Sequence, residues 1–275
     1  MNPKTRTALI ITIAVLILDL LLYTLKPLGE NFYILADWAV VIFAFAALVS
    51  GYYAFRLHGI KTQYGEALLF LVLGSLFWAL GELSWALLET VLQMEPFPSI
   101  ADMFWYTGYF LFGMGLYYIW KVIRTSVPGH RIIAAVLAVL AAFAISLFYG
   151  VFPSIADPGL ALMEKIVAVG YVVLDFIIIV GEIIIIVSLL GRKLIRPWII
   201  ILIAGFFTAF ADIMFAQIAS LYTGSSFFGV LWDMEYILLA LGFFYYRQTM
   251  SGILKKEEPA RHKRGIKSSG RRKAR

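Results

Sequence analysis

Residues 162–190, LMEKIVAVGYVVLDFIIIVGEIIIIVSLL, decide the fold class. As a helix this run exceeds the length needed to cross the ~30 Å hydrocarbon core of a bilayer. Yet Asp175 and Glu182 lie inside it, seven residues apart and on one helical face. An acidic side chain at the centre of a bilayer costs at least ~2.5 kcal/mol, so such residues turn toward a protein interior or a wet cavity. The stretch therefore reads as a membrane-spanning helix that presents two acids to partner helices.

The same pattern recurs along the chain. Of its 275 residues 62% are hydrophobic and 15% charged, well outside the range of soluble globular domains. Apolar runs mark eight helices, at 7–25, 32–55, 66–92, 101–123, 131–151, 162–190, 196–222 and 228–249. The runs are continuous rather than alternating, which predicts helices and not a barrel. The expected fold is all-α: a polytopic bundle of eight transmembrane helices occupying residues 1–250.

Basic residues orient it. Lys4 and Arg6, then Arg56 and Lys61, then Lys121, Arg124 and Arg131, then Arg192, Lys193 and Arg196, and finally Arg247 with ten more place 21 of the 23 Lys/Arg on one side. Lys26 and Lys165 remain on the other. The positive-inside rule makes the crowded side cytoplasmic, with both termini there and the protein in the cell membrane. The first span reads as an uncleaved anchor, because no small-x-small site follows it. Residues 251–275 carry ten Lys/Arg against two Glu and read as a disordered basic tail able to dock on anionic lipid. Nothing in the chain resembles a nucleic-acid-binding fold, and no nucleic-acid partner is expected.

Two patterns repeat. Tyr33-x-x-x-Asp37 in the second span is echoed by Tyr171-x-x-x-Asp175 in the sixth, and Gly74 to Glu82 in the third by Gly205 to Asp212 in the seventh. This predicts a 4+4 parallel internal repeat about an axis normal to the membrane. In addition, Asp37, Asp102, Asp157 and Asp233 each fall near the outer start of a span, and two of them end the identical hexapeptide Phe-Pro-Ser-Ile-Ala-Asp at 97–102 and 152–157. Helix capping is the expected role of these four acids, with Pro158 following Asp157 as a first helical residue.

Capping cannot account for Glu82 and Asp212. Each lies 16 residues into its expected span, about 24 Å along the helix, which puts both in the outer third of the bilayer at matching places. Glu82, Trp85 and Glu89 share a helix face. Asp19 lies in the outer third of the first span. No Lys or Arg within a span can pair with these groups, so they protonate or share a cation. Trp78, Trp85, Phe104, Trp105, Tyr106, Tyr109 and Tyr236 cluster near that level. Carboxylates among aromatic faces suit a cationic or amine ligand through ion pairing and cation–π attraction. The expected binding residues are Glu82, Trp85, Glu89, Asp175, Asp212, Trp105, Tyr109 and Tyr236. Oxygen ligands would also serve a hard cation such as Ca²⁺. No cofactor is expected. The chain has no cysteine, and its three histidines lie outside the spans, which argues against a thiolate or histidine metal centre.

At Pro96-Phe-Pro-Ser-Ile-Ala-Asp102-x-x-Trp-Tyr-x-x-Gly-Tyr109 the chain resembles a group of prokaryotic multi-pass domains that precede histidine kinase or diguanylate cyclase modules. The likeness extends to Tyr171-x-x-x-Asp175, Gly205 through Asp212 and Trp232-Asp233. It implies a sensory role. A basic tail stands where an output module would follow, so signalling would pass through a partner. A second likeness is to lysoplasmalogenase-type membrane hydrolases, which have eight spans and two intramembrane acids. It implies Glu82 and Asp212 as the water-activating pair, although that family has Asp for the first acid and Ser where Ala211 stands. An enzyme is the lesser expectation.

Overall fold

The structure, a computed structural model, describes residues 3–123, 128–218 and 226–272, with side chains described through Lys255. Arg124, residues 219–222 of the expected seventh span and the tail side chains beyond Lys255 lie outside the described residues. Within them the chain is all-helical: α1 (Pro3–Leu25), α2 (Phe32–Phe55), α3 (Gln63–Ala86), α4 (Ile100–Ile123), α5 (Gly129–Ile145), α6 (Phe152–Ala156), α7 (Leu162–Leu189), α8 (Ile195–Ile218) and α9 (Val230–Arg272). Two π-helical turns, Leu87–Val91 and Ser146–Val151, extend α3 and join α5 to α6. Seven of the helical segments are long and apolar enough to cross a membrane. With 24 residues α4 matches them in length. The architecture is that of a multi-pass helical membrane protein.

Helix starts follow local chemistry. Thr62 caps α3 by accepting from the Gly65 N–H at 3.0 Å. At α4 the Ala101 N–H donates to Ser99 Oγ, and the Asp102 carboxylate accepts from the Ser99 N–H, a reciprocal pair of the capping-box kind. The other three acids expected as caps are placed differently. Because α2 begins at Phe32 after Asn31, Asp37 sits in its second turn and is buried. Asp157 follows α6 and accepts from the Gly159 N–H at 2.7 Å in a turn, five residues before α7 begins. Asp233 lies in the first turn of α9, where it is buried with its carboxyl turned toward Asp19 and Tyr23 of α1. The α9 helix runs on past the apolar segment to Arg272.

Six helices form a closed ring, each packed on the next: α2, α3, α4, α7, α8, α9 and back to α2. The α1 helix packs outside on α9, and α5 outside on α7. Polar ties hold the ring's seams: Ser50 Oγ donates to the Ala240 carbonyl at 2.7 Å across α2–α9, and the Tyr106 hydroxyl to the Val167 carbonyl at 2.7 Å across α4–α7. Where α3 crosses α4, the Cα of Gly74 lies against backbone; a Cβ there would sit 2.8 Å from the Phe112 nitrogen and 3.0 Å from the Gly108 oxygen. Small residues at such crossings let membrane helices gain close packing where the hydrophobic effect offers nothing. Inside the ring the two ends differ. Toward the basic loops the core is apolar, built on Ile185, Leu189, Trp198, Ile201, Leu239 and Phe243, all 2% exposed or less. Toward the opposite end it is acidic and aromatic.

Between α2 and α3, on the basic side, the His58 ring stacks on Tyr64 with centroids 5.4 Å apart, and its Nε2 lies 3.2 Å from the Tyr246 hydroxyl. Burial pushes the imidazole pKa below its ordinary 6.5. The folded protein therefore binds fewer protons here than the unfolded chain. This contribution to stability is full above pH 6.5 and declines as pH falls below it. Melting temperature in detergent is expected to drop on acidification through that range, and His58→Gln to flatten the drop. A variant whose pH profile overlays the wild type would rule out this ring as the source.

Candidate functional site

At the end of the ring remote from the basic loops lies a cavity of about 100 Å³. Its size class is that of the engineered ~150 Å³ protein cavity that admits benzene. Five acids reach it from five helices: Asp37 from α2, Glu82 from α3, Asp102 from α4, Asp212 from α8 and Glu235 from α9. Of its lining residues, ten are aromatic, among them Trp78, Trp85, Trp105, Tyr109, Trp232 and Tyr236. No Lys, Arg or His lines it among the described residues; each titratable side chain on its wall is a carboxyl or a phenol.

The acids are held by neutral donors. Glu82 Oε1 accepts from the Tyr236 hydroxyl at 2.7 Å and from Trp105 Nε1 at 3.1 Å. Asp212 Oδ1 accepts from Trp232 Nε1 at 2.9 Å. Asp102, besides capping α4, accepts from the Tyr171 hydroxyl at 2.5 Å. Tyr109 takes a central place: its hydroxyl lies 2.6 Å from Asp175 Oδ1 and 3.2 Å from Asp212 Oδ2. A phenol has one proton to donate, so the two contacts are satisfied together when one of the two acids is itself protonated. Indole and phenol donors orient carboxylates without neutralising them, which leaves the cavity's net character acidic.

The expected binding residues divide by depth. Glu82, Trp85, Trp105, Tyr109, Asp212 and Tyr236 line the cavity. Asp175 lies one layer deeper, in a smaller adjoining chamber whose wall it shares with Tyr109, Thr208 and Glu235. Glu89 lies off the wall: it falls in the π turn Leu87–Val91, whose wider winding shifts its angular position, and there it accepts from Trp85 Nε1 at 2.7 Å and approaches Asp37. Phe104 meets Phe77 with the rings tilted by 49° and their centroids 6.1 Å apart, and Tyr106 donates to α7 backbone. Neither lines the cavity. Asp37, Asp102 and Glu235 do line it, together with Tyr171 and Trp232, and none of these was expected in the site. Asp37 and Asp102 were masked by their proximity to helix starts, where capping explains an acid equally well. Glu235 had a usable signal, since it lies seven residues into the apolar run at 228–249, beyond the turn in which capping explains an acid. Asp19, expected in the outer third of α1, faces Asp233 outside this cavity. No group of three or more metal-ligating side chains converges to hold a metal ion among the described residues.

Trp105→Phe tests how firmly Glu82 is held. It removes one of the two donors to Oε1 and retains most of the aromatic wall, so stability is expected to fall by the worth of one hydrogen bond, about 0.5–1.5 kcal/mol. Melting temperature in detergent would measure it, and an unchanged value would show that this bond does not hold the carboxylate. A comparison with protein-family models found no match, and neither curated proteins nor solved structures gave one.

Proposed function

We propose that this chain is a sensor-like, multi-pass protein of the cell membrane that binds a small organic cation, an amine or ammonium, in the acidic and aromatic cavity. One observation carries the reading: Glu82 and Asp212, from helices on different sides of the ring, line the same cavity among aromatic side chains with no basic residue on its wall. Burying several carboxyls without countercharge is costly, and a cationic ligand would relieve that cost while gaining cation–π attraction from the rings. The wall supports an organic cation over a hard metal ion, because no ligand set for a metal converges there. Signalling would pass to a partner, and the basic segment after Met250 would hold the cytoplasmic face to anionic lipid.

The order of the ring supports a 4+4 repeat. The trio α2, α3, α4 is followed by the trio α7, α8, α9, each in chain order, with α4–α7 and α9–α2 as the two equivalent seams. Glu82 and Asp212 fall on corresponding members, α3 and α8. The basic loops support an orientation with both termini cytoplasmic and the cavity near the opposite face.

The hydrolase reading uses the same two acids with less support. In that reading one of them would activate water, but Glu82 stands where the family has Asp and Ala211 where it has Ser. Thermal-shift titration with a panel of alkylammonium ions tests the binding reading, and release of product from lysolipids by purified protein would replace it with the enzymatic one.

A further inference from the structure

Beneath the cavity lies a second chamber of about 20 Å³, room for one water molecule. Glu182 borders it, 1% exposed, with Oε2 lacking a hydrogen-bond partner. Its carboxyl rests on the bare Cα of Gly205, where a Cβ would sit 2.7 Å from Oε2. Asp175, on the same chamber and 4% exposed, has no neutral donor to its Oδ2, and its carboxyl also lies close to that of Asp212. The two chambers share Trp78, Tyr109, Thr208 and Glu235 as walls. Between them stands the Tyr109 hydroxyl, in contact with Asp212 on the cavity side and Asp175 on the chamber side.

We propose that Asp212, Tyr109 and Asp175 form a proton relay that loads Glu182 from the outer cavity, so that the chamber is a binding site for a proton carried on water. In the elementary step a proton on Asp212 passes to the phenol oxygen as the phenol's own proton passes to Asp175. One proton has then moved, Asp212 is left a carboxylate, and the phenol is unchanged. From Asp175 the proton crosses the water-sized chamber to Glu182. The groups facing Glu182 and Asp175 carry no basic member: Tyr109 from α4, Asp212 from α8, Glu235 from α9 and Trp78 from α3, which is not titratable. Along α5 no titratable residue occurs between Arg131 and Tyr149.

The relay is blind at its inner end. Glu182 lies seven residues before the end of α7, about 10 Å, and Ile185, Leu189, Trp198 and Ile201 fill the core beyond it. A proton is therefore stored and returned to the side it came from, without conduction across the bilayer. The relay needs no amine, so its test stands apart from that of the outer ligand.

The test is infrared difference spectroscopy on the purified full chain in phosphatidylcholine–phosphatidylglycerol vesicles after a jump in external pH. The wild type is expected to show a deuterium-sensitive carboxylic C=O band, absent from Glu182→Gln. Tyr109→Phe is expected to keep that band but slow its response about a hundredfold, the scale of a lost proton-transfer group. Gly205→Ala should move the band without removing it. A Glu182→Gln spectrum identical to wild type, or a Tyr109→Phe response at the wild-type rate, would overturn the proposal. So would dissipation of a pH gradient across vesicles at a rate that depends on Glu182, since the site would then be a conductor.

Discussion

The double variant Glu82→Gln/Asp212→Asn is expected to lose ammonium binding while gaining thermal stability. Each carboxylate contributes a charge-assisted interaction worth about 1.5–3 kcal/mol, so removing both should raise Kd by about a hundredfold to ten-thousandfold. The carboxamides keep the size of the groups they replace and still accept from Trp105, Tyr236 and Trp232, the donors that hold the native acids. Stability should rise because two desolvated carboxyls no longer have to be accommodated without countercharge. The measurement is melting temperature in detergent with and without alkylammonium ions. A variant that retains the full ligand-induced shift would sink the proposed site, and one that melts lower without ligand would show that the acids serve the fold first.

The largest effect on stability is expected at the α3–α4 crossing. Replacing Gly by Ala in a helix interior normally stabilises by about 0.5–1 kcal/mol through backbone entropy. At Gly74 the new methyl would meet the Phe112 nitrogen at 2.8 Å and the Gly108 oxygen at 3.0 Å. These are backbone atoms and cannot swing aside, so the two helices must separate, and overpacking of this kind costs about 1–3 kcal/mol. Packing outweighs propensity, and Gly74→Ala should lower the melting temperature. Gly252, whose added methyl would meet nothing within 4 Å, is the control, and Gly252→Ala should be neutral or slightly stabilising. Equal effects at both positions would mean that α3 and α4 do not cross closely. Because Gly74 lies on the α3 face that carries Trp78 and Glu82 one and two turns further on, the same separation should also widen the cavity and weaken binding.

Much of this arrangement is legible in the sequence, for reasons that differ residue by residue. Glu82 and Asp212 stand out because an acid far from either end of an apolar helix has no capping role to fill, and both line the cavity. Asp175 and Glu182 stand out for the same reason, but their period along α7 leaves open which chamber they border. Asp37 and Asp102 lie close enough to helix starts that local chemistry explains them without a cavity; Asp102 both caps α4 and meets Tyr171. Glu89 obeys an α-helical spacing that a π turn then breaks, and no residue pattern in Leu87–Val91 announces that turn. Tyr109 could be read as one of several interfacial aromatics. Its place between two acids depends on α4 having α7 as its neighbour.

The number, length and relative direction of the helices are written locally, because a segment's ability to cross hydrocarbon depends on its own side chains and their period of 3.6. So are the positions of acids that must turn away from lipid. Which helix lies beside which is not a local property: it follows from the fit between surfaces remote in the chain, Gly74 against the α4 backbone or Tyr106 against the α7 carbonyls. Closure of the six-helix ring therefore belongs to the tertiary structure alone. Closure is also what turns acids dispersed over five helices into one cavity with a deeper chamber beneath it.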